Sequence, residues 1–411
     1  MGLLVDGTGG EPIPDAAIVM QGDRINWAGA FADLPREATP NIRDYSSATA
    51  LPGLVDAHVH MSLFADGRPY EAMAEESDGL MALAAARNAG THLASGVTTA
   101  RDNGARNRLG FDIRLAIERG EMAGPRLLVA GRPITPSRGH FWWCGEEADG
   151  EDAVRDSVRR LVAEGADHLK VMASGGGTVG TDSTRASYSV AELAAARAAA
   201  HELGRLVTAH CRARESMDRV VEAGLDCIEH GEFLDELGDA RFEADTAARL
   251  AESGTYLSPT LAATGRWDLI LRLRSQRDAD GLDAEAAAEL QRAEDSLEAR
   301  LEIVNRLLDL GMTDRIVAGT DAGCFDFSFG HMDYNLSLLV AAGMSPMQAI
   351  MAGTSRSARA CGIGEEVGTL EPGKLADVLL VNGDPTRNIG AIGDVLAVLK
   401  GGVLVHENLD C

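Results

Sequence analysis

Short apolar runs alternate with helix-like segments through the middle of the chain. The first run is LPGLVDAHVH, which ends at His60, and seven more follow: GVTTAR (96–101), RLLVAG (126–131), ADHLKVM (166–172), RLVTAH (205–210), LDCIEH (225–230), TYLSPT (255–260) and DRIVAGTDAG (314–323). Parallel strands need a helical crossover between them, so repeated strand–helix units predict a parallel α/β sheet. Eight such units predict a closed (β/α)8 TIM-type barrel over residues 51–364.

The two ends of the chain carry a different pattern. Residues 1–50 and 365–411 contain short β-like runs separated by turns rich in glycine, such as AAIVMQGDRINWAG and VGTLEPGKLADVLLVNGDP. Neither end is long enough to bury a core alone. We therefore expect them to form one small β-sandwich domain together, with the barrel inserted between them. The charged stretch 266–300 predicts a helical insertion that covers the barrel or lies at a subunit contact.

Ionisable residues stand at the carboxyl ends of five of the predicted strands. His58 and His60 are two positions apart on one strand and therefore share a face. In a barrel the carboxyl ends of all strands meet at one face, which brings residues distant in sequence together. The set is suited to a divalent cation, with zinc fitting the nitrogen and oxygen donors best and cobalt or manganese remaining open. Its members are His58, His60, Lys170, His210, His230 and Asp321.

Each of these residues also has a simpler explanation. A lysine at a strand end is usually a solvated charge, and a single histidine is often a core residue with one satisfied hydrogen bond. GTDAG alone would read as a turn, since aspartate is common in turns. The alignment of all six positions with strand ends favours the metal-binding interpretation.

Several motifs together resemble the metal-dependent amidohydrolase superfamily. They are LPGLVDAHVH, GVTTARD, HLKVMASGG, VTAHC, GLDCIEHGEF, GTDAG and VGTLEPGKLADVLLV, which span nearly the whole chain. The nearest resemblance is to the binuclear dipeptidase and carboxypeptidase-like members, of prolidase type. The resemblance implies one metal ion held by His58, His60 and Asp321, and a second held by His210 and His230. It also implies that Lys170, carboxylated by CO2, bridges the two ions.

The resemblance implies a hydrolase that cleaves an amide-type C–N bond in an N-acyl amino acid or dipeptide-like substrate. A hydroxide activated by two divalent ions would attack, and Asp321 would pass the proton to the leaving nitrogen. Two alternatives stay open: a carbamate or urea hydrolase using the same site, and a ring deaminase. Deaminases usually bind one ion and do not require the strand-four lysine, so Lys170 argues against the second.

Substrate contacts are harder to predict from the sequence. His140, in the turn SRGHFWWCGEEADG, corresponds to a histidine that contacts the substrate carbonyl in the relatives, although a histidine in such a loop is often a surface residue. Trp142 and Trp143 beside it either line the pocket or cap the barrel. Arg101 and Arg185 are candidate anchors for a substrate carboxylate, because a guanidinium can pair with it in a bidentate manner. A solvated arginine is the simpler reading of each.

Composition narrows the partners of the protein. The 411 residues carry a formal net charge of −25 and a sequence pI near 4.7, which argues against a nucleic-acid partner, since phosphate binding needs clustered basic residues. The six cysteines include no CxxC pair, and no apolar run is long enough to cross a bilayer. The first residues do not resemble a secretory signal. We therefore expect a cytoplasmic homo-oligomer that acts on a small molecule, away from membranes.

Overall fold

The strands of the protein form four sheets in the computed structural model, which describes residues 1–35 and 42–408. The predicted small domain includes residues 36–41 and 409–411, which lie outside the described residues. The strands are β1 (Leu3–Leu4), β2 (Ile13–Pro14), β3 (Ala16–Gln21), β4 (Arg24–Ala30), β5 (Ala48–Pro52), β6 (Leu54–Val59), β7 (Val97–Asp102), β8 (Arg126–Val129), β9 (His168–Met172), β10 (Leu206–Ala213), β11 (Cys227–Leu234), β12 (Tyr256–Ser258), β13 (Val378–Asn382), β14 (Val395–Lys400) and β15 (Val403–Glu407).

Two parallel sheets occupy the middle of the chain. One has the order β6–β7–β8 and the other the order β12–β11–β10–β9. Short bridges connect them at both edges. Ile134 pairs with Val171 on one side, while Ile316 pairs with Leu257 and Ala322 with Val59 on the other. The mixed α/β class predicted from the sequence is confirmed, and seven of the eight predicted runs contain a regular strand.

The eighth predicted run, residues 314–323, forms isolated bridges where a regular strand was expected. Two local features account for the difference. Asp321 has a φ of +59°, which interrupts an extended strand. Gly319 lies so close to its neighbours that an added Cβ would be 2.3 Å from Ser258 Oγ and 2.8 Å from His58 Cβ. The segment is therefore pressed against the strands on either side of it without a continuous ladder.

Helices follow most of the parallel strands. They are α1 (Ala72–Glu75), α2 (Asp78–Ala94), α3 (Leu109–Glu118), α4 (Glu151–Glu164), α5 (Val190–Glu202), α6 (Arg214–Ala223), α7 (Ala244–Ser253), α8 (Leu261–Thr264), α9 (Trp267–Asp280), α10 (Ala284–Asp309), α11 (Met332–Ala341), α12 (Pro346–Ala352) and α13 (Ser355–Ala360). The antiparallel neighbours α9 and α10 cover the residues for which the sequence predicts a helical insertion. Among the described residues, no helix combines the length and apolar character needed to cross a bilayer.

Strands from both ends of the chain share one six-stranded sheet, in the order β15–β14–β13–β5–β1–β2. Alternate side chains of β13 point to opposite faces of this sheet. Val378 and Leu380 join the small core together with Leu4 and Ile25. Leu379 joins the large core beneath the parallel strands. This one sheet therefore connects the terminal segments to the parallel strands by apolar packing.

A substitution at Gly96, just before β7, can test this packing. Its φ is +97°, and an added Cβ would lie 2.8 Å from both methyl carbons of the buried Leu379. Gly120 has a φ of +71° with no atom within 4 Å of the added Cβ, so it provides a matched control. We expect Gly96→Ala to lower the free energy of unfolding by about 2–4 kcal/mol, from backbone strain plus overpacking. Gly120→Ala should lower the free energy of unfolding only by the backbone strain, about 1 kcal/mol. Denaturant unfolding measures both, and equal costs would contradict the proposed contact.

Candidate active site

His58, His60 and Asp321 converge at the carboxyl end of β6. His58 Nε2 lies 3.4 Å from His60 Nε2 and 3.3 Å from Asp321 Oδ1. His60 Nε2 lies 3.6 Å from the same carboxylate oxygen. All three side chains are buried. The alternation of β6 and the return of the chain at 321 thus bring together the three residues to which the family resemblance assigns one metal ion.

His210 and His230 complete a cluster of four imidazoles. His210 lies on β10 and His230 lies on β11, and their ring centroids are 4.6 Å apart. The rings of His58 and His230 are 5.1 Å apart. Donor atoms of His58, His230 and Asp321 all lie within 4.8 Å of one another, which is a spacing that a single cation can span. The five ligand candidates from four separate segments therefore face one another.

Lys170 lies in the same cavity. Its side chain is buried, and within the described part of the chain its Nζ has no hydrogen-bond partner. Burial lowers the pKa of Lys170 below its usual range. Burial also raises the pKa of Asp321, whose Oδ1 likewise lacks a hydrogen bond to any described residue. Buried polar atoms are rarely left unpaired, so this pair of atoms, facing four imidazoles, fits a site built around bound cations.

The outer nitrogens of the imidazoles are held by the surrounding structure. His58 Nδ1 donates to Glu229 Oε2 at 2.8 Å, and His60 Nδ1 donates to the carbonyl of Gly104 at 3.1 Å. His230 Nδ1 is 2.8 Å from Thr260 Oγ1. With Nδ1 of His58 and His60 protonated, Nε2 of each remains as the lone-pair donor toward the cavity. His210 is held the other way round, because its Nε2 donates to the carbonyl of Gly175 at 3.0 Å and its Nδ1 carries the lone pair. Such outer contacts fix the tautomer and the orientation of a metal-binding histidine.

Glu229 is the most connected of these outer groups. Its Oε1 accepts from Arg101 Nη2 at 2.7 Å and also from the Thr208 hydroxyl. Burial alone would raise the pKa of Glu229, but the charges of His58 and Arg101 outweigh it and hold the pKa well below the usual range. Glu229 is therefore a buried carboxylate that stays ionised.

Arg101 consequently does not reach a substrate. Its side chain is 2% exposed, and its Nε donates to the carbonyl of Ala57 at 2.7 Å. With Glu229 and Ala57 as partners, it lies away from the residues that line the cavity. This placement corrects the sequence-based interpretation of Arg101 as an anchor for substrate. Its role is to balance the charge of Glu229.

Arg185 and the tryptophan pair also lie apart from the cavity. The Arg185 side chain is 77% exposed, with Nε 3.5 Å from Asp182 Oδ2. Trp142 is partly exposed, and Trp143 is buried against Phe141, with ring centroids 5.2 Å apart. The cavity is lined by Phe141 itself, because its left-handed backbone, with a φ of +59°, turns the loop at that point. The structure therefore does not bring Arg185, Trp142 or Trp143 to the cavity.

His140 does line the cavity. Its ring centroid is 4.6 Å from that of His210, and its Nδ1 is 2.7 Å from Thr178 Oγ1. Burial, followed by the charges of Lys170 and Arg212, lowers the pKa of His140 to about 3. The imidazole is therefore neutral near pH 7. Space for the ring depends on Gly176, where an added Cβ would lie 2.5 Å from His140 Nε2.

Sequence reasoning missed several residues that line this cavity. Two of them carried a usable signal, because Arg212 is two positions after His210 and Glu232 is two positions after His230, each pair on one strand and so on one face. Tyr70 carried none, since it precedes a short helix in a loop. The missed residues are Tyr70, Phe141, Met172, Gly177, Arg212, Glu232, Thr264, Cys324 and Phe325.

The Glu229–His58 contact generates a prediction about metal affinity. Glu229→Gln keeps the shape of the side chain and removes the charge that fixes the His58 tautomer. We expect the affinity for divalent cations to fall by about 10- to 100-fold, the usual effect of losing such an outer partner. Competition with a chromophoric chelator measures it. Glu118→Gln, at an exposed i,i+4 pair with Arg114, is the matched control. Unchanged affinity in Glu229→Gln would contradict the positioning role.

Comparison with known proteins gives the same picture. Ochratoxinase from Aspergillus niger is 28% identical over 440 aligned residues, covering 98% of this chain and 85% of that protein. Its crystal structure is similar with a TM-score of 0.79 and 26% identity, covering 98% of this chain and 94% of the other. The crystal structure of a Xaa-Pro dipeptidase with bound methionine in the active site has a TM-score of 0.80 and 26% identity, covering 99% of this chain and 98% of that chain.

The family assignment follows from a match over most of the chain. The model of the amidohydrolase family matches residues 49–405. This range includes every ligand candidate, from His58 to Asp321, the strands β13 and β14, and the first residues of β15. The predicted resemblance to the superfamily and to its prolidase-type members is thereby confirmed. The chain belongs to the amidohydrolase family.

Proposed function

We propose that the protein is a metal-dependent hydrolase that cleaves an amide-type C–N bond in an N-acyl amino acid or dipeptide-like substrate. The observation that carries the proposal is the convergence of His60, His210 and His230 with Lys170 and Asp321 in one cavity, with His58 beside them. Among the described residues, Lys170 Nζ and Asp321 Oδ1 have no hydrogen-bond partner. The scaffold we propose is a (β/α)8 barrel with a small β domain from both chain ends. A relative that hydrolyses ochratoxin by name, and a dipeptidase structure holding the amino acid methionine, support a substrate of this class.

The residues present fit two divalent ions. His58, His60 and Asp321 would hold one, His210 and His230 the other, and Lys170, carboxylated by CO2, would bridge them. An unmodified ammonium would repel the ions, whereas the carboxylated form offers an anionic pair of oxygens. Nitrogen and oxygen donors favour zinc. When bound, the ions supply Lewis acidity that makes water a nucleophile near neutral pH and polarises a carbonyl.

Asp321 has the properties of a proton carrier. Its carboxyl is buried beside the imidazole cluster, and burial raises its pKa above the usual range. A carboxylate that contacts the attacking water can accept and release a proton. In the overall reaction, water adds to the carbonyl carbon and the C–N bond breaks. The leaving nitrogen must gain a proton, and Asp321 would take it from the water and deliver it. The products are a carboxylic acid and an amine.

His140 is placed to donate a hydrogen bond to the substrate carbonyl oxygen. The amide N–H of Phe141 donates to Thr178 Oγ1 at 3.2 Å, which leaves the hydroxyl proton free to point at His140 Nδ1. The imidazole proton then lies on Nε2. A neutral Nε2–H can stabilise the negative charge that develops on the oxygen. The homo-oligomeric state and cytoplasmic location expected from the sequence stay predictions.

Amine release by metal-reconstituted protein tests the proposed function. We expect turnover of dipeptides or N-acyl amino acids from a panel that also contains carbamates and phenylureas. The protein should bind about two divalent ions per chain. Lys170→Ala should lose most of the metal and at least about 100-fold in turnover, because the bridging anion is gone. Elemental analysis and steady-state kinetics measure the two effects.

Lys374→Ala is the control, since its ammonium donates to the Gly364 carbonyl outside the cavity. Turnover confined to carbamates or phenylureas would replace the proposed substrate class with the alternative. A Lys170→Ala protein that keeps both ions and full activity would overturn the bridging role. One tightly bound ion with release of ammonia from a ring would favour the deaminase.

The Thr178–His140 contact gives a separate prediction. Thr178→Val removes the hydroxyl that sets the tautomer, and His140→Ala removes the donor itself. We expect kcat to fall by about 10-fold in the first and about 100- to 1000-fold in the second, with little change in KM. Thr184→Val, whose hydroxyl bonds only to Asp182 nearby, is the matched control in the same loop. A normal kcat in His140→Ala would show that the carbonyl is polarised without it.

A further inference from the structure

One cysteine lies in the cavity beside the metal-ligand candidates. Cys324 lines the cavity, is buried, and follows Asp321 by three positions. A buried cysteine usually packs as a small apolar residue, so its place among ionisable groups needs an explanation. The other described cysteines do not line the cavity; they are Cys144, Cys211, Cys227 and Cys361.

Two consecutive turns fix the position of Cys324. Its amide donates to the carbonyl of Asp321 at 3.2 Å, and its own carbonyl accepts from the amide of Phe327 at 3.1 Å. Gly323, just before it, has a φ of +101°, and an added Cβ there would lie 2.4 Å from the carbonyl oxygen of His60. Because Gly323 has no side chain, this segment can lie directly against the residue that follows β6.

The sulfur of Cys324 belongs to a group of three donor atoms. It lies with a ring nitrogen of His60 and a carboxylate oxygen of Asp321, all within 4.8 Å of one another. Zinc binds sulfur at about 2.3 Å and imidazole nitrogen at about 2.0 Å, so the ligand atoms of one tetrahedral ion lie roughly 3.3–3.8 Å apart. Small rotations of these side chains would therefore place all three donors around one cation.

The same group contains a buried acceptor that no protein group satisfies. Asp321 is 3% exposed, and its Oδ1 has no hydrogen-bond partner among the residues that the structure describes. His60 donates through Nδ1 to the carbonyl of Gly104, so its Nε2 is also an acceptor, 3.6 Å from that oxygen. Buried acceptors are rarely left unpaired. Two of them side by side, next to a sulfur, point to a cation.

We propose that Cys324 is a ligand of the cation at His60 and Asp321, and that its sulfur makes this site selective for a thiophilic divalent ion. The inference rests on the metal centre of the proposed function and names the class of ion that the centre selects. Thiolate sulfur favours zinc, whereas carboxylate and water oxygens suit magnesium and manganese. On binding, the sulfur–metal bond forms as the S–H bond breaks, and the thiol proton passes to solvent.

Cobalt spectroscopy tests the sulfur ligand. The protein is freed of metal with a chelator and reloaded with about two equivalents of Co²⁺ per chain. We expect a thiolate-to-cobalt charge-transfer band in the near ultraviolet, and its loss in Cys324→Ser. Cys144→Ser is the matched control, because Cys144 is similarly buried outside the cavity lining, and it should keep the band. Bound cobalt without the band in the wild type would overturn the proposal, as would a band that persists in Cys324→Ser.

Competition with a chromophoric chelator tests the selectivity. We expect the affinity for Zn²⁺ to fall by at least about 10- to 100-fold in Cys324→Ser, since losing a direct ligand should cost no less than losing an outer partner. The affinity for Mn²⁺ should change by less than about 3-fold, because an ion that prefers oxygen gains little from sulfur. Equal losses for the two ions would contradict the proposed selectivity.

X-ray absorption at the zinc edge gives a result that does not depend on how the variants fold. The zinc-loaded wild type should show a sulfur neighbour at about 2.3 Å. A first coordination shell of nitrogen and oxygen alone would overturn the proposal.

None of these measurements requires turnover, so failure of the sulfur ligand and failure of the proposed function are distinguishable. Sulfur coordination that is lost in Cys324→Ser would support the ligand even if no amide were hydrolysed. Amide hydrolysis by a metal centre without sulfur would leave the hydrolase standing and overturn the ligand.

Discussion

The buried carboxylate of Glu229 is the constraint around which the site is built. It lies on β11, accepts from Arg101 of β7, from the Thr208 hydroxyl of β10, and from His58 at the end of β6. An ion in this environment costs several kcal/mol unless it is paired and fully hydrogen-bonded. The pairing therefore requires four strands to hold their relative positions. Because one of the three donors is a ligand candidate, the same pairing that stabilises the strands also orients the site.

Two further carboxylates repeat this arrangement on the neighbouring strands. Asp56 Oδ1 accepts from the amide of Thr320 at 2.9 Å, and its Oδ2 lies 3.0 Å from His92 Nε2. Asp102 accepts from the amides of Met61 and Gly104, each at 2.9 Å. The backbone on both sides of the imidazole cluster is thus fixed by side chains one layer beneath it. The positions of the metal-ligand candidates therefore do not depend on contacts among those candidates.

Barrel geometry explains which parts of the site could be predicted from the sequence. Residues at strand ends, such as His58 and His210, are placed by strand direction and by the alternation of side chains, and both features are visible in a single sequence. Arg101 could not be placed, because its partner Glu229 is 128 residues away and nothing local distinguishes a buried arginine from a solvated one. Phe141 lines the cavity where Trp142 and Trp143 were expected, because its own backbone is left-handed and turns the loop. The dihedral angles of a loop leave no periodic signal in the sequence.

In the fold, too, local features could be predicted from the sequence, whereas features that depend on distant contacts could not. The alternating apolar pattern of the chain ends predicts strands, but their pairing into one sheet depends on contacts between segments more than 300 residues apart, such as β5 with β13. The parallel strands were recognisable because each is short, apolar and followed by a helix. The segment 314–323 was recognisable for its composition, and its irregular backbone followed from crowding at Gly319, which only the assembled neighbours create.

Strained backbone conformations at the strand ends place two of the ligand candidates in the site. Asp321, His230 and Thr260 have φ values of +59°, +70° and +45°, and such conformations cost non-glycine residues about 1–2 kcal/mol each. They persist because the surroundings hold them: the amide of Asp321 donates to the carbonyl of His58 at 2.7 Å, and Thr260 is bonded to His230. The strain turns two ligand candidates inward at positions where an extended strand would carry them past the cavity.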